Sequence, residues 1–192
     1  MKKCNKGEPG YFKYKKMQLG MVSLTGLVLI LGIYLTGYLI WGTPKNYVTI
    51  LAVLVVLPTM KFLVQYLMFP WKNFVAKNEY DEINNKCKPL KLYSELMMTA
   101  SEKRYQISYL LIDKDDNIIV YTPDEKADTM AFEKGVTNFL NYYEFNSKVK
   151  LYTDLKSYTK RCAELAIRNR DITDEQQEHI LYVFEKISIM SI

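Results

Sequence analysis

Four aspartates lie close together in the middle of the chain, and their type and spacing could do chemistry. Asp113, Asp115 and Asp116 are near neighbours, and Asp124 follows shortly after them. Carboxylates of this kind bind Mg²⁺, and an adjacent lysine such as Lys114 would complete a metal-dependent hydrolase or nuclease site. Aspartate is also an ordinary residue of hairpin turns, because its side chain bonds to its own backbone. Both interpretations stay open at the level of the sequence.

The other reactive side chains form no recognisable catalytic set. The single histidine, His179, stands beside Glu178, where a solvated helix residue is expected. A nucleophilic pair would require Cys87 or Cys162 to meet it, and Cys162 lies on an apolar helix stripe. The sequence contains no CxxC spacing, no Gly-rich phosphate loop and no GxSxG or HExxH motif. The sequence therefore predicts no catalytic residue and no cofactor.

The elements that would position these residues form a small mixed α/β domain over residues 90–192. The pattern of apolar residues predicts the order α-β-β-α-β-α-α, after a juxtamembrane helix or linker at 72–89. The predicted elements are a helix at 90–99, hairpin strands at 105–113 and 117–122, a helix opened by the TPDE capping box at 122–125, a strand at 148–152, a helix at 154–168 and a last helix opened by TDEQ at 173–176. The direction of the third strand stays open, since the helix before it permits a parallel crossover.

Two long apolar segments precede this domain. Residues 17–41 carry no charge, and residues 47–71 carry only Lys61. Each segment is long enough to cross about 30 Å of hydrocarbon as a helix. Packing both into a soluble core would need two helices that are apolar on every face, which is typical of membrane spans. The sequence thus predicts a transmembrane helical hairpin over 17–71, with GTPKN as its turn.

Aromatic and basic residues mark the two membrane interfaces of the predicted hairpin. Aromatic rings favour the headgroup depth, and lysines accumulate on the cytoplasmic side. The first 16 residues form a basic arm with six lysines, whereas the hairpin turn holds one. We therefore expect both termini in the cytoplasm. The predicted interface residues are Trp41, Tyr47, Tyr66, Trp71, Lys13, Lys15 and Lys16.

Polar and small residues inside the spans have two interpretations each. Lys61 is an intramembrane cation, which is either functional or reaches the headgroups along its flexible stem. Gly32 and Thr36 form a small-xxx-small pair, which lets helices approach closely. The partner helix would be the second span of the same chain or, alternatively, a second copy of the protein.

The net charge of +5 does not indicate a nucleic-acid-binding protein. The positive balance comes from the basic arm at 1–16, while the part after residue 71 is near neutral. The basic stretch 156–170, with Tyr158 among its lysines and arginines, is interpreted as a solvated face or one turned toward anionic headgroups. Nucleic acid is therefore not an expected partner, whereas the lipid bilayer is.

Two stretches resemble a known group of proteins. EPGYFKYKK before the first span, and TGYLIWGTPKN at its end, are similar to uncharacterised bacterial two-span membrane proteins with a cytoplasmic α/β domain. The resemblance covers about the first 70 residues, and it implies no activity and no functional residues. What it implies is a location in the bacterial inner membrane.

Taken together, the sequence leads to the expectation of a non-enzymatic membrane protein. A helical hairpin would anchor a cytoplasmic α/β domain that binds a protein partner or a small ligand. The alternatives are a metal-dependent hydrolase or nuclease that uses the aspartates, and a membrane effector that oligomerises through Gly32 and Thr36.

Overall fold

The computed structural model of the protein describes residues 4–43, 47–69 and 75–191. The chain divides into two compact units, one formed by Met1–Tyr11 together with Asn73–Ile192 and the other by Phe12–Lys72. The predicted interface residue Trp71 and residues 44–46 of the predicted turn lie outside the described residues.

Two long helices make up the described part of the apolar unit. Helix α1 spans Tyr11–Trp41 and helix α2 spans Tyr47–Met68. By length and composition, both are long and apolar enough to cross a membrane. Helix α1 therefore begins six residues before the predicted span, because the basic residues of the arm continue its helix. Helix α2 contains Pro58 and ends three residues before the predicted boundary.

Small residues bring α1 and α2 together. A Cβ atom placed on Gly26 would lie 2.5 Å from Thr59 Oγ1, and one placed on Gly20 would lie 3.1 Å from the Tyr66 ring. Thr59 donates its hydroxyl proton to the Val55 carbonyl, so its polar group is satisfied within its own helix. A Cβ atom on Gly32, in contrast, would have no neighbour within 4 Å. The close contact of the two helices therefore lies in the first half of α1.

The α/β unit contains a mixed four-stranded sheet in the order β1-β2-β3-β4. Strands β1, β2 and β3 are antiparallel neighbours, and β4 runs parallel to β3. This parallel pairing answers the direction left open by the sequence. The strands span Leu92–Ala100, Lys103–Ile112, Ile118–Tyr121 and Val149–Tyr152, and the helices α3 to α6 span Lys77–Cys87, Thr129–Tyr142, Leu155–Arg168 and Asp174–Ile189.

The predicted helix at 90–99 is wrong, because this segment forms strand β1. Its residues Leu92, Tyr93, Leu96 and Met98 are all buried, so apolar side chains occur at both odd and even positions. A strand covered on both faces loses the alternation that identifies half-exposed strands. The i, i+4 spacing of Leu92 and Leu96 within it therefore resembles a helical stripe. As a result, the sheet has four strands where the sequence predicts three.

The prediction that the TPDE capping box opens a helix is also wrong. The hydroxyl of Thr122 is buried and donates to the Gln106 carbonyl at 2.7 Å, which holds the residue at the end of the sheet. Helix α4 begins later, where the Asp128 side chain accepts a hydrogen bond from the Ala131 amide. The TDEQ prediction is confirmed, since Thr173 and Gln176 form a reciprocal capping box. The predicted hairpin between β2 and β3 is confirmed as well.

The N-terminal arm packs against the C-terminal end of the α/β unit. The Ser94 amide donates to the Gly7 carbonyl at 2.8 Å, on the outer edge of β1. Lys6 Nζ donates to the carbonyls of Ser188 and Ser191 at 2.9 and 2.6 Å, at the end of α6. A cation at the C-terminus of a helix complements the helix dipole. Residues on either side of the apolar helices therefore belong to one folded unit.

Candidate interaction surface

Asp113 shapes the turn between β2 and β3. Its carboxylate accepts hydrogen bonds from the Asp115 amide at 2.9 Å, the Asn117 amide at 2.8 Å and the Asn117 side chain at 2.8 Å. The residue is 0% exposed. Because the carboxylate is enclosed and occupied by three donors, its role in the structure is to fix the hairpin turn.

The other two acids of this turn contact basic side chains on neighbouring helices. Asp115 accepts from Arg168 at the end of α5, at 2.6 Å, and Asp116 lies 2.9 Å from His179 Nε2 on α6. Asp116 has a positive φ of 58°, a conformation that aspartate adopts more readily than most residues. The turn is thus tied to two helices that follow it in the chain.

No metal centre is assembled among the described residues. Asp124 lies in a separate loop, where its carboxylate accepts from the Lys126 amide at 3.0 Å. In the described part of the chain, no three His, Cys, Asp or Glu side chains are grouped so that they could hold a metal ion. The hydrolase hypothesis stays a prediction without a supporting arrangement of ligands.

Two of the three cysteines are enclosed in the core. Cys87 at the end of α3 and Cys162 on α5 are both fully buried. The pKa of the Cys87 thiol is raised above its ordinary value by its hydrogen bond with Cys162 and by burial. A raised thiol pKa lowers the thiolate population, so this thiol is a poor nucleophile. His179, the histidine required for a nucleophilic pair, contacts Asp116 instead.

Five aromatic rings from α4, the loop after it and α6 form a continuous surface, which we name the aromatic surface. Phe139 packs against Tyr143 at 5.1 Å between ring centroids, and Tyr142 packs edge-on against Tyr143 at 5.3 Å. Phe145 contacts Tyr182 at 5.8 Å. Phe145 also contacts the ring of His179, which connects the aromatic surface to the turn at Asp116.

Lys186 joins the two halves of the aromatic surface. Its ammonium lies 4.9 Å from the Tyr182 ring centroid and 5.3 Å from that of Tyr143. Cation–π contacts of this kind hold the rings in position while leaving their outer sides open. Tyr142 remains 82% exposed and Tyr182 50% exposed. The aromatic surface is therefore solvent-accessible at Tyr142 and Tyr182, whereas Phe145 is buried.

The backbone of the loop after α4 explains why Phe145 faces inward and Tyr142 outward. Tyr143 caps the helix, and Glu144 adopts a positive φ of 64°. The Phe145 amide then donates back to the Leu140 carbonyl at 3.1 Å. The apolar spacing of the sequence predicts that Phe139 and Tyr143 share one helix face, but it does not join the other three rings to them. The adjacent tyrosines in NYYEF could have indicated an exposed aromatic residue. One helix face cannot bury two neighbouring residues together, so one of the two tyrosines must face the solvent.

The predicted residues of the apolar helices have mixed surroundings. Trp41 and Tyr47 are exposed, as are Gly32 and Thr36, and Thr36 donates its hydroxyl proton to the Gly32 carbonyl. Tyr66 packs against α1, and Lys16 lies 5.6 Å from its ring centroid. Lys13 and Lys61 are exposed, and Lys15 Nζ lies 3.5 Å from Gln18 Oε1.

Comparisons with protein-family models, with curated proteins and with solved structures find no match for this chain.

Proposed function

We propose that this chain is an integral membrane protein of the bacterial inner membrane, in which α1 and α2 anchor a cytoplasmic, non-enzymatic α/β unit that binds a partner protein. The observation that carries the proposal is the exposure of large apolar side chains along both long helices. Anchoring would act by localisation, because it raises the effective concentration of partners near the membrane.

The exposed apolar residues support a lipid environment for the helix pair. Leu39, Tyr47 and Leu57 are among more than twenty large apolar residues of these helices that are exposed, which is far more than a protein in water leaves uncovered. Lys61 is the one charged residue of α2. Helices without charged faces are stable in hydrocarbon because all their backbone groups bond internally.

The packing of the N-terminal arm supports two crossings rather than one. Residues 4–11 belong to the same compact unit as residues 75–191, and the apolar helices connect them. A single crossing would place the arm and the α/β unit on opposite sides of the bilayer. The six lysines at 2–16 favour the cytoplasm as the shared side.

The aromatic surface supports protein binding by the α/β unit. Tyrosines are enriched among the residues that dominate binding energy at protein interfaces, since they bury a large area with little loss of conformational freedom. Here two exposed tyrosines, Tyr142 and Tyr182, stand on a scaffold of contacting rings. The turn at Asp115 and Asp116, which contacts Arg168 and His179, provides a polar border to the same surface.

Topology can be tested by cysteine labelling in intact cells. Cys4 is replaced by Ser, and single cysteines are placed at Thr43 and at the exposed Glu125. We expect a membrane-impermeant maleimide to label the Thr43 position in intact cells and the Glu125 position only after permeabilisation. The Cys4→Ser parent is the control, because Cys87 and Cys162 are buried. Labelling of Glu125 in intact cells would contradict the orientation.

Partner binding can be tested by crosslinking from the aromatic surface. A photo-crosslinking amino acid replaces Tyr142 in the full chain in its native membrane, and the same group replaces Ile167, which is exposed on α5. We expect a discrete protein adduct from position 142 alone. Tyr182→Ala should reduce that adduct about 30-fold, since loss of an interface hot spot costs about 2 kcal/mol. An adduct that is equal from both positions, or unaffected by Tyr182→Ala, would count against this surface.

A second candidate function is supported by the surroundings of Gly32. The contacts of Gly20 and Gly26 are made with α2, whereas the Gly32 position is open. An oligomer formed through Gly32 and Thr36 would use this open part of α1. It would be a membrane effector whose activity depends on helix association.

A further inference from the structure

A cavity separate from the aromatic surface lies between the start of β1 and helix α6. Its volume is about 250 Å³. This is below the range of roughly 300–1,000 Å³ that drug-sized ligands occupy, so a fitting ligand has on the order of ten non-hydrogen atoms. The residues that define it are Leu90, Lys91, Tyr93, Gln177, Ile180 and Leu181.

The inner wall of the cavity is fixed by the core. Tyr93 is 2% exposed and stacks on Phe184, with 3.6 Å between ring centroids and 8° between ring planes. Leu90 and Ile180 are buried as well. Because these side chains are held by packing, the cavity is formed without a ligand, as is usual for small-molecule sites.

The charge of the residues that line the cavity favours a negatively charged ligand. Lys91 is the only charged residue of the lining, and Gln177 adds a side-chain amide. The Lys91 ammonium lies 5.3 Å from the centroid of the Tyr93 ring. Within the part of the chain that the structure describes, Lys91 takes part in no ion pair. An apolar cavity with one such cation and no acid is complementary to a carboxylate with an apolar tail.

We propose that this cavity binds a small apolar carboxylic acid, with the carboxylate on Lys91 and the tail between Tyr93 and Ile180. The branched or aromatic tail would contact the Ile180 and Leu181 side chains. Gln177 Nε2 would provide a second donor to the carboxylate. The site is independent of the partner surface, so it can be present whether or not that surface binds protein.

The test uses the full chain in a non-ionic detergent, with isoleucine methyl groups labelled for NMR. Phenylacetate and 4-methylpentanoate are titrated, and phenylacetamide is the uncharged control. Ile172 and Ile180 both line the cavity. We expect their methyl signals to shift saturably at submillimolar phenylacetate. Phenylacetamide should bind about ten-fold more weakly, because it lacks the charge-assisted bond to Lys91.

Two variants separate the site from partition into the detergent. Lys91→Met should weaken phenylacetate about ten-fold, and Lys160→Met, at an exposed position on α5, should not change it. Leu181→Trp should abolish binding by filling the cavity. Equal binding of acid and amide, equal effects of the two lysine variants, or no saturable shift with either acid would overturn the proposal. Protection of the cavity by a bound protein, without binding of either acid, would identify the occupant as a partner's side chain and would also overturn it.

Discussion

Replacing Asp113 by alanine is expected to destabilise the α/β unit by about 3 kcal/mol. The substitution removes an enclosed acceptor and leaves two backbone amides and the Asn117 side chain without their partner. The turn also holds Asp115 and Asp116 in place for their contacts with Arg168 and His179, so its loss would loosen the contacts to α5 and α6. The measurement is urea unfolding of the full chain in detergent, followed by the tyrosine signal of the α/β unit.

Asp115→Ala and Asp116→Asn are the matched controls for this prediction, asparagine being chosen because Asp116 has a positive φ that alanine tolerates poorly. Both residues belong to the same turn, but each forms a partly exposed contact, Asp115 a salt bridge with Arg168 and Asp116 a hydrogen bond with His179. Pairs of this kind contribute about 0–1 kcal/mol, so each control should be nearly neutral. If Asp113→Ala were no more destabilising than Asp115→Ala, the structural role of Asp113 would be refuted.

Unfolding of the parent protein and of an Asp115→Ala, Asp116→Ala double variant tests the metal-dependent hydrolase hypothesis. A bound metal stabilises the folded state in proportion to its concentration above the dissociation constant. Stabilisation by millimolar Mg²⁺ that disappears in the Asp115→Ala, Asp116→Ala double variant would support that hypothesis. Equal unfolding curves with and without Mg²⁺ would remove it.

Leucine at Gly26 is expected to separate α1 from α2, whereas leucine at Gly32 should leave the pair intact. The first carbon of a side chain at Gly26 would meet Thr59 at 2.5 Å, far inside van der Waals contact, while the Gly32 position is open. Because close approach through small residues drives helix association in lipid, the Gly26→Leu variant should lose nearly all association of α1 with α2.

Crosslinking within the hairpin measures this separation. Phe12 and Phe69 pack edge-on with 5.7 Å between ring centroids, so cysteines at these positions can be joined by a short bis-maleimide. We expect efficient joining in the parent and in Gly32→Leu, and a reduction of about ten-fold in Gly26→Leu, which corresponds to about 1.4 kcal/mol. Equal crosslinking in both leucine variants would show that Gly26 is not the contact.

Gly32→Leu also distinguishes the anchoring function from the oligomeric alternative. If α1 associates with a second copy through Gly32 and Thr36, the leucine should abolish the oligomer in mild detergent. The anchor function predicts no change in partner crosslinking from Tyr142. Oligomers that persist in Gly32→Leu would exclude this face as the contact.

Several features follow from the sequence by itself, because local physical chemistry specifies them. The lack of charges over 17–41, and of any charge but Lys61 over 47–71, leads to two long apolar helices regardless of their packing. The Thr173–Gln176 capping box is a contact within one helical turn, and the β2–β3 hairpin depends on turn residues and β-branched neighbours. In each case the deciding interactions lie within a few positions of one another.

Other features depend on tertiary structure. Strand β1 has apolar residues on both faces, and only its pairing with β2 distinguishes it from a helix. Thr122 looks like a helix cap, but the Gln106 carbonyl from a neighbouring strand competes for its hydroxyl. The four aspartates are chemically identical but lie in three different environments. Asp113 is buried, Asp115 and Asp116 contact side chains of α5 and α6, and Asp124 lies in a separate loop. The fold, and not the local sequence, sets these differences. The aromatic surface likewise joins Tyr142 to Tyr182 across forty positions, which no local pattern specifies. Local sequence determined the elements, and packing between distant elements decided which side chains are free to function.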